Sequence, residues 1–87
     1  MTKIYIYCLF DKFDNFLGVY SSLKAVHRDA LKLCNRGNST VFMRIGHEKK
    51  AANLVTLRNS FKGVCDVEIK YCSDAQYVKI LKTKLKE

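Results

Sequence analysis

The residues that most constrain the fold are the eight at positions 3–10, which read Lys-Ile-Tyr-Ile-Tyr-Cys-Leu-Phe. They are rich in β-branched and aromatic types, and this composition predicts a strand. Alternate side chains of a strand lie on opposite faces, and here both faces are apolar. The pattern therefore predicts a central strand or one covered by a second layer. A chain of 87 residues can form one small domain around it.

The remaining patterns predict three more strands and three helices. The further strands are predicted at residues 16–20, 39–45 and 64–72. The helices are predicted from Leu23 to a stop at Gly37, over residues 48–62, and after Ser73. The order is β-β-α-β-α-β-α. We expect a small single α/β (α+β) domain over residues 1–87, with a mixed four-stranded sheet packed with helices.

The first predicted helix has a file of cations at intervals of four residues. Residues four apart lie on nearly the same helix face, so these side chains form one stripe that rises roughly 18 Å at about 1.5 Å per residue. Like charges at this spacing repel, and the only acid among them is Asp29. A helix that tolerates this repulsion indicates a polyanionic partner. The stripe consists of Lys24, Arg28, Lys32 and Arg36.

The net charge of +8 is concentrated in the middle of the chain, because residues 23–63 alone have a net charge of +7. An excess of this sign favours nucleic acid, an anionic membrane surface or an acidic protein as the partner. The cations after the stripe are interpreted as an extension of the same anion site. The predicted nucleic-acid-binding residues are Lys24, Arg28, Lys32, Arg36, Arg44, Lys49, Lys50, Arg58 and Lys62.

Catalysis, metals and cofactors have little support in the sequence. The four cysteines include no C-x-x-C pair, so we interpret them as free thiols in apolar positions. Asp11 and Asp14 have turn spacing without the pattern of a calcium loop. His27 and His47 have no paired nucleophile or metal cluster beside them. We expect a non-enzymatic protein with no metal and no cofactor.

Length and hydropathy indicate where the protein acts. No apolar run approaches the roughly 20 residues that span a bilayer, and the N-terminal residues lack the layout of a signal peptide. We therefore expect a cytoplasmic protein without a membrane partner. A domain this small buries only about 60% of its unfolded surface, which favours a homodimer.

Aromatic residues are spread along the predicted strands and helices. Exposed aromatic side chains on a sheet can stack on the bases of single-stranded nucleic acid. The same residues can instead pack in a core or a dimer interface, and that interpretation is favoured. The residues concerned are Tyr5, Tyr7, Tyr20, Phe42, Tyr71 and Tyr77.

The chain is short, proline-free and rich in Lys and Tyr, with several cysteines and with its cations clustered in the middle. In this it resembles small accessory proteins of T-even-type bacteriophages, and within them the RNA-binding inhibitors of host toxin–antitoxin ribonuclease toxins. The resemblance implies an antitoxin-like protein of the host bacterial cytoplasm that binds RNA and, with it, a host ribonuclease toxin. A protein–protein inhibitor that docks its basic face directly on an acidic host protein is the alternative, and a double-stranded DNA binder is a third.

Overall fold

The computed structural model describes residues 5–35, 40–62, 67–73 and 77–84. They form one antiparallel sheet of six strands in the order β2-β1-β6-β5-β3-β4, together with two helices. The strands are β1 (Tyr5–Asp11), β2 (Phe16–Tyr20), β3 (Phe42–Ile45), β4 (Glu48–Ala51), β5 (Val67–Cys72) and β6 (Tyr77–Lys84). The helices are α1 (Leu23–Cys34) and α2 (Leu54–Phe61).

Both helices pack on the same face of the sheet, where their buried residues join those of the strands in one core. The Ser22 side chain accepts a hydrogen bond from the backbone N–H of Ala25 and so caps the start of α1. The Asn53 side chain caps α2 in the same way, through the N–H of Thr56. The core consists of Leu9, Val26, Ala30, Cys34, Met43, Leu57, Phe61, Ile69, Tyr71, Val78 and Ile80.

The predicted mixed four-stranded sheet with three helices is wrong, because the sheet has six antiparallel strands and the described residues hold two helices. The first error lies in residues 48–62, which were predicted as one helix. Gly46, at a φ of 60°, begins a two-residue turn that pairs Ile45 with Glu48. A positive φ at the first turn residue suits such hairpins and favours glycine. Residues 48–51 therefore return along β3, and the helix begins only at Leu54.

The second error is the predicted last helix, which is strand β6. Val78, Ile80 and Lys82 are buried on the helix side, so the apolar pattern has the period of a strand. Lys82 is only 8% exposed; its ammonium donates to the Phe61 carbonyl at 2.7 Å and lies 4.5 Å from the Tyr5 ring centre. Since β6 pairs with both β1 and β5, it is a central strand of the sheet.

The predicted strand at 64–72 is observed from Val67 to Cys72, and residues 63–66 lie outside the described part of the chain. Neither of the two described helices is long and apolar enough to cross a membrane.

Candidate nucleic-acid interface

The cationic stripe lies on the solvent-exposed side of α1. Lys24, Arg28 and Lys32 are all exposed, while Val26 and Ala30 of the same helix are buried. Successive stripe positions are about 6 Å apart along the helix axis. The fourth predicted member, Arg36, lies outside the described residues. The helix thus presents three cations, one per turn, to the solvent.

Asp29, the acid beside the stripe, is held by two neighbours. The Tyr20 hydroxyl donates to one of its carboxylate oxygens at 2.7 Å, and Arg28 Nε donates to the other at 3.3 Å. The hydrogen bond from Tyr20, with further contributions from Arg28 and Lys32, lowers the pKa of Asp29. The Arg28 side chain remains 65% exposed, and exposed ion pairs of this kind are weak. The stripe therefore keeps a positive potential although Asp29 is ionised.

A shallow groove runs beside the stripe between the two helices. His27 and Leu31 of α1 and Leu54 of α2 line it, together with the three described stripe cations and Asn35. A ligand in this groove would contact apolar side chains and cations at once. The groove therefore suits a polyanion or an acidic segment of a protein.

His27 connects this groove to the core. Its Nδ1 lies 2.6 Å from the hydroxyl of Tyr71, and the two rings meet edge to face at 5.6 Å. Burial raises the pKa of Tyr71, so the hydroxyl stays protonated and can donate to a neutral imidazole. Burial lowers the pKa of His27 from its ordinary 6.5. The folded state therefore favours the neutral ring.

We expect the protein to lose stability as the pH falls below about 6.5, the ordinary pKa of histidine. The unfolded chain binds a proton at His27 more readily than the folded chain, because the folded pKa is the lower one. The contribution is complete above that pH and is lost as the pH falls toward the folded pKa. Urea unfolding at several pH values between neutral and about 5 measures it. In His27→Gln the slope in this range should disappear, and an unchanged slope would contradict the assignment.

The other predicted cations do not form one surface with the stripe. Arg44 and Lys49 are exposed on the outer face of the sheet, which we define as the face opposite α1 and α2. Lys50 lies on the helix side of β4 and pairs with Glu48 at 3.4 Å. Arg58 and Lys62 are exposed, in α2 and just after it. The structure thus divides the predicted site between the two faces of the sheet.

Two cations that the sequence interpretation missed lie on the outer face. The strand register places Lys49 of β4 opposite Arg44 of β3, Arg44 opposite Lys70 of β5, and Lys70 opposite Lys79 of β6. We call these four residues the cross-strand row. Period-two alternation places Lys70 on the solvated face of its strand, but it was not counted among the predicted binding residues. Lys79 could not be placed, because its segment was predicted as a helix.

The aromatic residues are also divided between the two faces of the sheet. Tyr7 and Tyr20 pack against the core, and Tyr71 is buried within it. Tyr5 lies beneath the Lys82 ammonium on the helix side. Phe42 and Tyr77 lie on the outer face, in register with Cys72 between them. Core packing is therefore confirmed for Tyr71, whereas Phe42 and Tyr77 lie outside the core.

The residues considered for metal binding have hydrogen-bonding roles in a turn. The Asp11 carboxylate accepts hydrogen bonds from the backbone N–H of Phe13 at 2.8 Å and of Asn15 at 2.9 Å. Asp14 has a φ of 64° and pairs with Lys79. Among residues 5–35, 40–62, 67–73 and 77–84, no three His, Cys, Asp or Glu side chains form a group that could hold a metal ion. Cys8, Cys34 and Cys72 are free thiols, and Cys65 lies outside the described residues.

No protein-family model, curated protein or solved structure matches this chain.

Proposed function

We propose that the protein is a non-catalytic RNA-binding protein that holds the RNA backbone through the stripe on α1. The observation that supports this most directly is the exposure of Lys24, Arg28 and Lys32 on successive turns of one helix. Phosphate contacts by Lys and Arg release counterions from the nucleic acid and supply most of the sequence-independent affinity. The resemblance to phage RNA-binding inhibitors favours RNA over other polyanions.

The same resemblance supplies the biological role in this proposal. The RNA-bound protein would act as an antitoxin-like, phage counter-defence inhibitor that binds a host ribonuclease toxin. Co-expression with such a toxin tests this role, because the protein should restore growth only while its stripe is intact. If a variant without the stripe charges restored growth equally well, inhibition of the toxin would not depend on RNA binding by the stripe.

The alternative function is direct docking on an acidic protein, with no nucleic acid involved. The groove between α1 and α2 favours it, because Leu31 and Leu54 lie beside the stripe cations. An acidic amphipathic segment would match both groups of side chains. This alternative and the RNA proposal predict different responses to nuclease.

We expect RNA to co-purify with the protein at low salt. The purified sample should show excess nucleic-acid absorbance that ribonuclease removes, whereas deoxyribonuclease serves as the control and should leave it unchanged. The measurement is the absorbance ratio before and after each digestion. A sample free of nucleic acid, with a partner complex that survives exhaustive ribonuclease treatment, would favour direct docking. Absorbance removed by deoxyribonuclease instead would indicate a DNA binder.

A further inference from the structure

The cross-strand row places like charges directly opposite one another on neighbouring strands. Lys49, Arg44 and Lys70 follow one another across β4, β3 and β5, and Lys79 continues the row on β6. Directly opposed side chains lie on the same face of a sheet, about 5 Å apart at Cβ, and like charges there are destabilising. The first three cations thus extend across about 10 Å of sheet.

Acidic side chains neutralise little of this row. Among the described residues, the row has one acidic partner in an ion pair, Asp14, which pairs with Lys79. The Lys79 side chain is 14% exposed, so the accessible charge belongs to Lys49, Arg44 and Lys70. The described acid on the outer face of β5 is Glu68, which stands opposite Leu81 rather than a cation. The outer face is therefore complementary to an anion.

Two aromatic rings flank these cations. Phe42 precedes Arg44 by two residues on β3, and Tyr77 precedes Lys79 by two on β6, so both rings lie on the face of the row. The Lys49 ammonium lies 4.3 Å from the Phe42 ring centre, and that of Lys70 lies 5.4 Å from the Tyr77 ring centre. Cations and aromatic surfaces thus alternate on one side of the sheet. The two rings are separated by one strand, or about 10 Å.

From this arrangement we infer that the outer face of the sheet is a second binding surface, specific for single-stranded nucleic acid. Phosphates contact Lys49, Arg44 and Lys70, and unpaired bases stack on Phe42 and Tyr77 once the lysines turn from the rings to the phosphates. A duplex keeps its bases stacked on one another and offers this surface only its backbone. The surface is independent of the function proposed above, because the stripe lies across the sheet from it.

A single introduced tryptophan can report this contact, because the chain contains no tryptophan of its own. Phe42→Trp places the reporter on the outer face, and Val55→Trp places a matched control on α2, where Val55 is 63% exposed. The probe is an oligouridylate of about 12 nucleotides, within the range of ~4–16 nucleotides that one OB fold binds. We expect quenching of the fluorescence at position 42 and little change at position 55. The same titration with oligothymidylate distinguishes RNA from DNA as the source of the strand.

Charge variants test the phosphate contacts separately. Arg44→Ala with Lys70→Ala should make the salt dependence of oligouridylate binding shallower, lowering the slope of log affinity against log salt by about 1.4 for two contacts. Lys49→Ala and Lys50→Ala form a matched pair, since these neighbours lie on opposite faces of β4. Only Lys49→Ala should weaken the quenching at position 42. Lys24→Ala with Lys32→Ala removes the same charge from the stripe and should leave that quenching in place.

Three results would overturn the inference. Equal quenching at positions 42 and 55 would show that the outer face is not the contact. If duplex RNA quenched the fluorescence at position 42 as strongly as the single strand does, the surface would not be specific for single strands. A change of oligomeric state in Arg44→Ala with Lys70→Ala, seen by light scattering with unchanged oligonucleotide affinity, would assign the face to a contact between copies. Each of these results leaves the stripe proposal standing, since none of them measures binding at the stripe on α1.

Discussion

Reversing the three described stripe charges, in Lys24→Glu, Arg28→Glu and Lys32→Glu together, should abolish retention of duplex RNA at physiological salt, because the surface inferred on the outer face is specific for single strands. Each cation that contacts a phosphate contributes about 0.7 to the salt slope on single strands and about 0.9 on duplex. The triple variant should therefore lose about 2 units of slope on single strands and about 2.7 on duplex. Reversal also places three carboxylates where phosphates would lie, so repulsion is added to the lost attraction.

The fold should survive this reversal, because all three side chains are exposed and none belongs to the core. Circular dichroism and urea unfolding check this point. The matched control is Lys50→Glu, Arg58→Glu and Lys62→Glu, which changes the net charge equally at exposed positions outside α1. Filter binding and salt titration of both variants show whether RNA binding depends on the position of the charges or only on the net charge. Equal loss in the two variants would attribute binding to net charge rather than to the stripe, and undiminished binding in the stripe variant would refute the proposal.

The elements that the sequence predicted well are those whose signals are local. Residues 16–20 were predicted as a strand and form β2 with those bounds. The helix predicted from Leu23 is α1, and its start follows from the cap at Ser22 and from apolar residues at helical spacing. The stripe could be predicted for the same reason, since a four-residue interval on a helix fixes which side chains share a face. None of these predictions needed a distant part of the chain.

The elements that the sequence mispredicted depend on pairing between distant segments. Glu48–Ala51 contains two lysines and a glutamate, with none of the β-branched residues typical of strands, and it forms an edge strand because the turn at Gly46 returns it along β3. In β6, apolar residues at 78 and 81 fitted a helix. Its strand structure follows from pairing with β1 and β5, and Lys82 inside the core hid the alternation.

The grouping of the outer-face residues could not be predicted, because these residues are neighbours only through the sheet register. Arg44 and Lys70 are far apart in sequence and directly opposite in the structure. Sequence reasoning placed Arg44 and Lys49 with the stripe, whereas β3 and β4 present them on the opposite face. The charge of each segment thus shows how much positive charge the chain carries, but it does not show how that charge is distributed between the two faces of the sheet. The homodimer expected from the chain length stays a prediction.

Phe61→Ala should destabilise the fold more than any surface change discussed above. Phe61 is 1% exposed at the end of α2, its ring lies 5.7 Å from that of Tyr7, and its carbonyl accepts the Lys82 ammonium. Truncating a buried phenylalanine costs about 3–5 kcal/mol, against a total stability of about 5–15 kcal/mol for a domain. The free energy of unfolding should fall for a second reason, because the end of α2 that holds Lys82 in place would lose its anchor in the core. Urea unfolding followed by circular dichroism measures the difference in free energy.

The matched control for this prediction is Phe13→Ala, which removes the same side chain from a turn position that is 72% exposed. It should change the free energy of unfolding by less than about 0.5 kcal/mol, as surface substitutions usually do. Oligonucleotide binding by Phe61→Ala, measured where the variant is still folded, should be close to that of the original chain, because Phe61 belongs to neither basic surface. Equal stability of the two variants would show that α2 does not anchor the core. A folded Phe61→Ala variant that no longer binds RNA would mean that α2 positions the stripe on α1, since the two helices share the groove lined by Leu31 and Leu54.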